Sequence, residues 1–118
     1  MSDFRLIAFI KKADDVSAEE LQRFYEDELR SVFLMRYPSA TRYIRRYLRP
    51  FPNPLTGEIA DLPYDMLTEA RYASRAAFEQ AQSRLSDIEK TEDILKIRQR
   101  ESRYIKSIDV AILHDVDG

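Results

Sequence analysis

The order of two hydrophobic patterns along the chain restricts its fold more than any other feature of the sequence. Short apolar or alternating runs, typical of β-strands, occupy residues 4–11, 40–50, 64–72 and 107–116. Apolar residues spaced three and four apart, typical of amphipathic helices, occupy residues 17–37, 74–83 and 91–103. This β-α-β-β-α-β order predicts two interleaved βαβ units with right-handed crossovers. We therefore expect an α+β, ferredoxin-like fold: a four-stranded antiparallel sheet with helices on one face.

Local signals predict where the helices begin and which faces they bury. Ser17 and Glu20 have the spacing of a capping box, and Pro38 ends the first helix. Its predicted buried face comprises Leu21, Phe24, Tyr25, Leu29, Val32 and Phe33. In the last helical stretch, the predicted inward residues are Ile94, Leu95 and Ile97. With 118 residues in total, residues 1–118 are expected to form one domain.

Both faces of the predicted strands carry apolar side chains. In the first strand, Leu6 and Ala8 point one way, whereas Ile7 and Phe9 point the other way. A sheet with one face in water should alternate apolar and polar residues more regularly. We therefore expect a second copy of the chain to cover the face opposite the helices, which gives a homodimer.

Composition excludes several classes of function. The chain has no cysteine, so disulfides, thiolate metal sites and a cysteine nucleophile are excluded. Its two glycines, Gly57 and Gly118, cannot build a glycine-rich phosphate loop. A net charge of −2 argues against nucleic-acid binding. The sequence has no apolar stretch of the roughly 20 residues that span a bilayer and no secretory pattern at its start, so we expect a cytoplasmic protein without membrane contact.

Glu28 is the first candidate for chemistry. It follows Leu21 by seven residues, which places it on the apolar face of a regular helix. A partly desolvated carboxylate has a raised pKa and can act as a general acid or base near neutral pH. The alternative is an ordinary ion pair at the edge of the core.

His114, the only histidine, falls in phase with Ile108, Val110 and Ile112 on the last predicted strand. Histidine is the commonest proton-transfer residue, so His114 is a second candidate acid or base. The alternative is a histidine at the rim of the sheet. A single histidine also argues against a histidine-rich metal site.

The second predicted strand interleaves basic and aromatic residues. These are Arg42, Tyr43, Arg45, Arg46, Tyr47 and Arg49. Such a pattern can bind nucleic acid, but the third strand lacks the aromatic pattern of an RNA-recognition motif and carries two acidic residues. We favour an edge strand protected by charge, with some arginines paired to Glu69 or Asp65 on the adjoining strand. Arg45 or Arg46 is alternatively a clamp for a substrate carboxylate or phenolate.

Tyrosines are numerous for a chain of this length. The candidates for lining an aromatic-ligand pocket are Tyr25, Tyr43, Tyr47, Tyr72 and Tyr104. In such a pocket the ring contacts the ligand and the hydroxyl orients it. Packing in the core or at an interface is the alternative for each of them.

Residues 64–74, Tyr-Asp-Met-Leu-Thr-Glu-Ala-Arg-Tyr-Ala-Ser, resemble the signature stretch of EthD-type proteins in the dimeric α/β-barrel superfamily. Asp65, Glu69 and Tyr72 match the aspartate, glutamate and aromatic residue of that stretch, and the helix start at 17–21 also fits. The resemblance covers nearly the whole chain. It implies a homodimer whose sheets pack face to face into a barrel, with a cavity in each subunit between sheet and helices.

Relatives in that superfamily include muconolactone isomerases, cyclases of aromatic polyketides and cofactor-free oxygenases. Many carry a histidine late in the first helix, where this chain has Glu28-Leu29-Arg30-Ser31. Glu28 or Arg30 is the candidate replacement for it.

We therefore expect an enzyme, independent of metals and organic cofactors, that isomerises, cyclises or dehydrates a small aromatic or lactone-like metabolite. The predicted catalytic residues are Glu28, Arg30 and His114. The predicted substrate-binding residues are Tyr25, Tyr43, Arg45, Tyr47, Glu69, Tyr72 and Tyr104. The alternatives are a non-catalytic ligand-binding protein, a cofactor-free monooxygenase and a structural dimer without a ligand.

Overall fold

The computed structural model describes residues 3–36, 38–88 and 90–114. Within these ranges the strands are β1 (Phe4–Lys12), β2 (Arg42–Tyr47), β3 (Met66–Tyr72) and β4 (Ile105–Ile112). The α-helices are α1 (Ala18–Phe24), α2 (Arg30–Arg36), α3 (Arg75–Ser83), α4 (Leu85–Ile88) and α5 (Glu92–Tyr104), and a π-helical segment, Tyr25–Leu29, joins α1 to α2. The predicted order of elements is confirmed. The predicted helix end at Tyr37 and the predicted strand end at Val116 lie outside the described residues.

All neighbouring strands in the sheet are antiparallel, and the strand order is β2-β3-β1-β4. Tyr43 lies opposite Ala70, which in turn lies opposite Leu6. Cross-strand partners share a face of the sheet, so these three residues lie on the side covered by the helices. The predicted alternation of side chains along β1 and β2 is therefore confirmed.

α1 begins with the predicted capping box. The Glu20 N–H donates to the Ser17 hydroxyl, and the Ser17 N–H donates to the Glu20 carboxylate; both hydrogen bonds are 3.1 Å long. The box satisfies two donors that a helix start otherwise leaves unpaired. It fixes the direction in which the chain leaves β1 and directs Leu21 and Phe24 into the core.

The π-helical segment changes which residues of the first helical region face the sheet. The N–H of Arg30 bonds to the carbonyl of Tyr25, five residues earlier, so each residue turns through a smaller angle than in an α-helix. Leu29 is buried as predicted, whereas Glu28 is turned toward the helix surface. The prediction that Glu28 lies on the apolar face is wrong, because it assumed regular helical spacing from Leu21.

The last helical region follows the predicted pattern with one exception. Ile94 is fully buried and Ile97 is half-buried, but Leu95 is 47% exposed. The prediction that Leu95 faces inward is wrong, because residues adjacent in an α-helix point about 100° apart and Ile94 already occupies the buried position. None of the helices in the described ranges is long and apolar enough to span a membrane.

The face of the sheet opposite the helices carries both apolar and charged residues. Phe9 packs on Tyr64 with ring centroids 5.2 Å apart. Glu69 is buried there between Arg46, whose guanidinium donates over 3.1 Å, and Arg71. The predicted pairing of a β2 arginine with Glu69 is thus confirmed.

Candidate functional site

A cavity of about 170 Å³ lies between the helices and the sheet. Much of its wall is apolar and includes Leu6, Ala8, Leu29 and Phe33. Leu6 and Ala8 reach it because alternate residues of β1 point toward the helices, and Leu29 reaches it from the π-helical turn. The polar side chains on its wall are Tyr25, Arg36, Tyr43, Thr68, Tyr72 and Glu101.

Tyr25 and Tyr43 both line the cavity and contact each other. Their hydroxyls share a hydrogen bond in which either oxygen can be the donor. The Tyr43 ring is stacked on Phe33 with centroids 3.7 Å apart, which fixes its orientation. Burial raises the pKa of Tyr25 to about 12, and burial together with Tyr25 raises the pKa of Tyr43. Both phenols are therefore protonated at neutral pH, and the one that accepts the shared bond can donate its own O–H to a ligand.

Arg36 and Glu101 bring opposite charges to the same cavity. Arg36 is the last residue of α2, Glu101 lies in the last turn of α5, and their charged atoms are 3.6 Å apart. Both side chains are largely buried. A carboxylate beside an apolar cavity can accept a proton, and an adjacent guanidinium can stabilise an anion there.

A second polar cluster lies beside the cavity on the same face of the sheet. The Arg45 guanidinium donates two hydrogen bonds, of 2.6 and 3.0 Å, to the Glu26 carboxylate, and the Tyr47 hydroxyl donates a third of 2.6 Å. The bonds from Arg45 lower the pKa of Glu26, whereas burial and Glu26 raise the pKa of Tyr47. The charge of Arg45 is thus balanced by Glu26, and that of Arg46 by Glu69 on the other face of the sheet, so the clamp predicted for Arg45 or Arg46 stays a prediction.

Two of the three predicted catalytic residues lie on the first helical region, away from the cavity wall. Glu28 accepts hydrogen bonds of 2.6 and 2.8 Å from Arg100 of α5 in an open surface groove. Arg30 is exposed. Glu28 therefore has the ion pair that the sequence left open as the alternative, and the catalytic roles of Glu28 and Arg30 stay predictions without support from the cavity.

His114, Tyr104 and Glu69 also lie away from the cavity wall. His114 is exposed just after β4. Tyr104 is stacked on Phe24, with centroids 4.2 Å apart, and borders the surface groove of Glu28. Glu69 belongs to the opposite face of the sheet. Of the predicted substrate-binding residues, the cavity brings together Tyr25, Tyr43 and Tyr72.

Sequence reasoning missed Arg36 and Glu101, although a signal for each was present. Glu101 follows the buried Ile94 by seven residues, the same spacing that singled out Glu28 after Leu21. Arg36 follows the buried Val32 by four residues. Among the described residues, no group of three or more histidine, aspartate or glutamate side chains is placed to hold a metal ion.

Solved structures with the same architecture span almost the whole chain. An EthD family protein from Bacillus halodurans shares 12% identity over 98% of this chain and all of its own, with a TM-score of 0.60. The chain has the ferredoxin-like fold. A dimeric protein of unknown function with a ferredoxin-like fold from Bacteroides fragilis shares 12% identity over 96% of each chain, with a TM-score of 0.53.

A third structural neighbour has a named activity. SnoaB from Streptomyces nogalater, a cofactor-independent oxygenase, shares 10% identity over 100% of this chain and 97% of its own, with a TM-score of 0.57. No model of a protein family and no curated protein matches the chain. The resemblance to EthD-type proteins is thus confirmed in the fold, and identities this low carry no statement about activity.

Proposed function

We propose that the protein is a small enzyme that moves a proton within a single-ring aromatic or lactone-like metabolite bound in the cavity. One observation carries the proposal: the Arg36–Glu101 ion pair and the Tyr25–Tyr43 phenols converge on one mostly apolar cavity. An apolar pocket with a few converging polar groups is the usual form of a small-molecule site. The proposed chemistry needs no metal or organic cofactor.

The size of the cavity favours a substrate with one ring. An engineered apolar cavity of about 150 Å³ is large enough to bind benzene. The cavity here, at about 170 Å³, therefore matches a phenol or a five-membered lactone. Drug-sized molecules occupy pockets of roughly 300 Å³ and more, so this volume favours a substrate smaller than a fused polycycle.

The polar groups divide the proposed reaction between them. Glu101 takes a proton from the carbon beside the substrate carbonyl, and the electron pair of that C–H bond moves toward the carbonyl oxygen. The resulting enolate oxygen accepts a hydrogen bond from the Tyr25–Tyr43 pair, whose raised pKa values keep the donors protonated. Glu101 then returns the proton to a different carbon, so an isomerisation is complete without a net change of atoms.

A test substrate of this class is α-angelica lactone, whose conversion into its conjugated isomer moves one proton. The purified protein is expected to accelerate this conversion, followed by ultraviolet absorbance and by deuterium uptake in D2O. Glu101→Gln is expected to lower kcat about 100-fold or more, the usual contribution of a general acid or base. The matched control is Glu28→Gln, which removes the same charge from the surface pair with Arg100. Loss of activity in Glu28→Gln alone would reject Glu101 in favour of Glu28.

A non-catalytic ligand-binding protein is the second candidate. It is supported by the 3.6 Å Arg36–Glu101 pair, in which the guanidinium already compensates the carboxylate charge. This candidate predicts that phenol perturbs the NMR signals of cavity residues while no test substrate turns over. Cofactor-free monooxygenation is a third candidate, since the neighbour SnoaB is a cofactor-independent oxygenase, and it predicts oxygen consumption in the presence of a phenol.

We also propose that the protein works as a homodimer. The dimeric Bacteroides fragilis neighbour and the exposed apolar residues of β4 support this arrangement. Light scattering at micromolar concentration is expected to give twice the mass of the chain, and a monomeric mass would reject the dimer.

A further inference from the structure

The connection between β2 and β3, residues 48–65, forms an ordered projection that we name the tongue. Its base is closed by a 2.9 Å bond from the Leu48 N–H to the Asp65 carbonyl. Its tip is closed by a 2.8 Å bond from the Asn53 N–H to the Glu58 carbonyl, where Gly57 adopts a positive φ of 74°. These bonds give the tongue a defined shape.

The tongue presents large apolar side chains to solvent. Phe51, Leu55 and Ile59 are 80%, 95% and 65% exposed. The radius of gyration is 16.0 Å, whereas a compact domain of this length has a value of about 13 to 14 Å. A defined loop that exposes three such side chains indicates a surface that another molecule covers.

A second uncovered apolar surface runs along β4. Ile108, Val110 and Ile112 point toward the helix side of the sheet but are 44%, 58% and 56% exposed. We name these three residues the β4 row. Ile108 and Val110 also line the cavity, so the cavity wall is exposed on this side.

Strand order places the tongue and the β4 row at opposite edges of the sheet. β2 is one edge strand and β4 is the other. When two such sheets pack face to face, a twofold axis parallel to the strands places the β2 edge of one subunit beside the β4 edge of its partner. A twofold axis perpendicular to the strands, in the plane between the sheets, instead places β2 beside β2 and β4 beside β4. Pairing of like edges leaves both β4 rows bare, so the two apolar surfaces favour the axis parallel to the strands.

Register and charge agree with this arrangement. Tyr47, the residue before the tongue, lies in the same cross-strand row as Met66, Ile10 and Ile108. Because Ile108 is near the start of β4, the tongue leaves the sheet at the end where β4 starts. The tongue carries the acidic Glu58, Asp61 and Asp65 and the basic Arg49, so it is acidic overall. The groove beside Ile108 is lined by the basic Arg98 and Lys106 and the acidic Glu101, so it is basic overall, although Lys106 also pairs with Asp14.

We infer that in the homodimer the tongue of each subunit covers the β4 row of its partner and closes the partner's cavity. Each ligand site is then completed by Leu55 and its apolar neighbours from the other chain. The inference rests on the proposed function in treating the cavity as a ligand site.

Cross-linking tests the position of the tongue independently of any ligand. The chain has no cysteine, so single substitutions report without background. Leu55→Cys in one copy and Val110→Cys in a differently tagged copy are co-expressed and treated with a short bis-maleimide. A high yield of the mixed dimer is expected. The control pairs Leu55→Cys with Ala76→Cys on the exposed side of α3, where the yield should be low. Equal yields, or a monomeric mass at micromolar concentration, would overturn the inference.

Phenol binding, followed by NMR, tests closure of the cavity. Leu55→Ser is expected to weaken phenol binding about tenfold, since an apolar side chain of this size contributes roughly 1.5 kcal/mol or more when buried. Thr56→Ser, beside it at the tip, should bind phenol like the unmodified protein. If cross-linking is specific but no variant binds phenol, the proposed function is refuted, whereas the inferred position of the tongue is supported. If phenol binds but cross-linking is not specific, the inferred position of the tongue is refuted, whereas the proposed function is supported.

Discussion

Arg36 at the end of α2 and Glu101 in the last turn of α5 hold their charged atoms 3.6 Å apart in the wall of an apolar cavity. The same two helical regions carry a second pair, Glu28 with Arg100, which lies in an open surface groove. These two ion pairs of the described residues join the first helical region to α5 and differ in two respects: the Glu28–Arg100 pair is more exposed to water, and it is held by two short hydrogen bonds. This contrast allows matched experiments.

Glu101→Gln is expected to lower the free energy of unfolding by about 2 kcal/mol, because it leaves the largely buried charge of Arg36 without its partner. Glu28→Gln is expected to change stability clearly less, because water solvates the remaining charge of Arg100. Urea unfolding of the two variants measures both values. Equal losses would show that Arg36 and Glu101 are as well solvated as the surface pair.

The raised pKa of Tyr25 leads us to expect that the folded protein loses stability at alkaline pH. This pKa is raised from 10.0 to about 12 by burial, so the folded state keeps the phenol proton where the unfolded chain releases it. The stabilisation from Tyr25 is complete below pH 10 and is lost as the pH rises toward 12. Tyr25→Phe, which cannot ionise, is expected to be less stable than the unmodified protein at pH 8, and the difference should shrink above pH 10. Urea unfolding at pH 8 to 11.5 checks this, and a constant difference would contradict it.

The sequence predicted the order of elements, the capping box and the alternation along the strands because these depend on local periodicity and short-range hydrogen bonds. The position of Glu28 was predicted wrongly because Glu28 lies within a π-helical turn, Tyr25–Leu29, in which each residue turns through a smaller angle than in an α-helix. No residue pattern in that stretch signals the turn.

The resemblance to EthD-type proteins implied a cavity between sheet and helices, but the sequence did not predict its wall or its volume. Its volume depends on how Phe33, Tyr43 and Leu29 pack across the space between helix and sheet, which local periodicity does not encode. Glu101 could have been found from its spacing after Ile94. Its pairing with Arg36 depends on how α2 and α5 approach each other in space.

The phase of α5 can be tested with two adjacent residues. Ile94→Ala is expected to lower the free energy of unfolding by about 2 to 5 kcal/mol, because it removes fully buried methyl groups and leaves a cavity. Leu95→Ala should cost about 1 kcal/mol or less, because Leu95 is half exposed. Thermal and urea unfolding measure both. A larger loss for Leu95→Ala would restore the inward position that the sequence predicted for Leu95.

The hydrogen bonds between Arg45 and Glu26 lead us to expect that the folded protein loses stability in acid. These hydrogen bonds lower the pKa of Glu26 below the ordinary 4.5, so Glu26 stabilises the folded state above that pH. This contribution is lost as the pH falls through the lowered pKa of Glu26. In Arg45→Met, Glu26 should titrate nearer its ordinary range. The variant is therefore expected to be less stable than the unmodified protein at pH 6, with a difference that narrows below pH 4.5.

Urea unfolding between pH 3 and 6 measures this narrowing, and NMR titration of the Glu26 carboxyl carbon reports its pKa directly. The matched control is Arg49→Met, since Arg49 donates to the Leu48 carbonyl and the Gln22 amide oxygen and touches no carboxylate in these bonds. Its stability difference from the unmodified protein should not narrow in acid. If the stability difference from the unmodified protein narrows equally for both variants, the acid sensitivity comes from other carboxylates and not from the bond between Arg45 and Glu26.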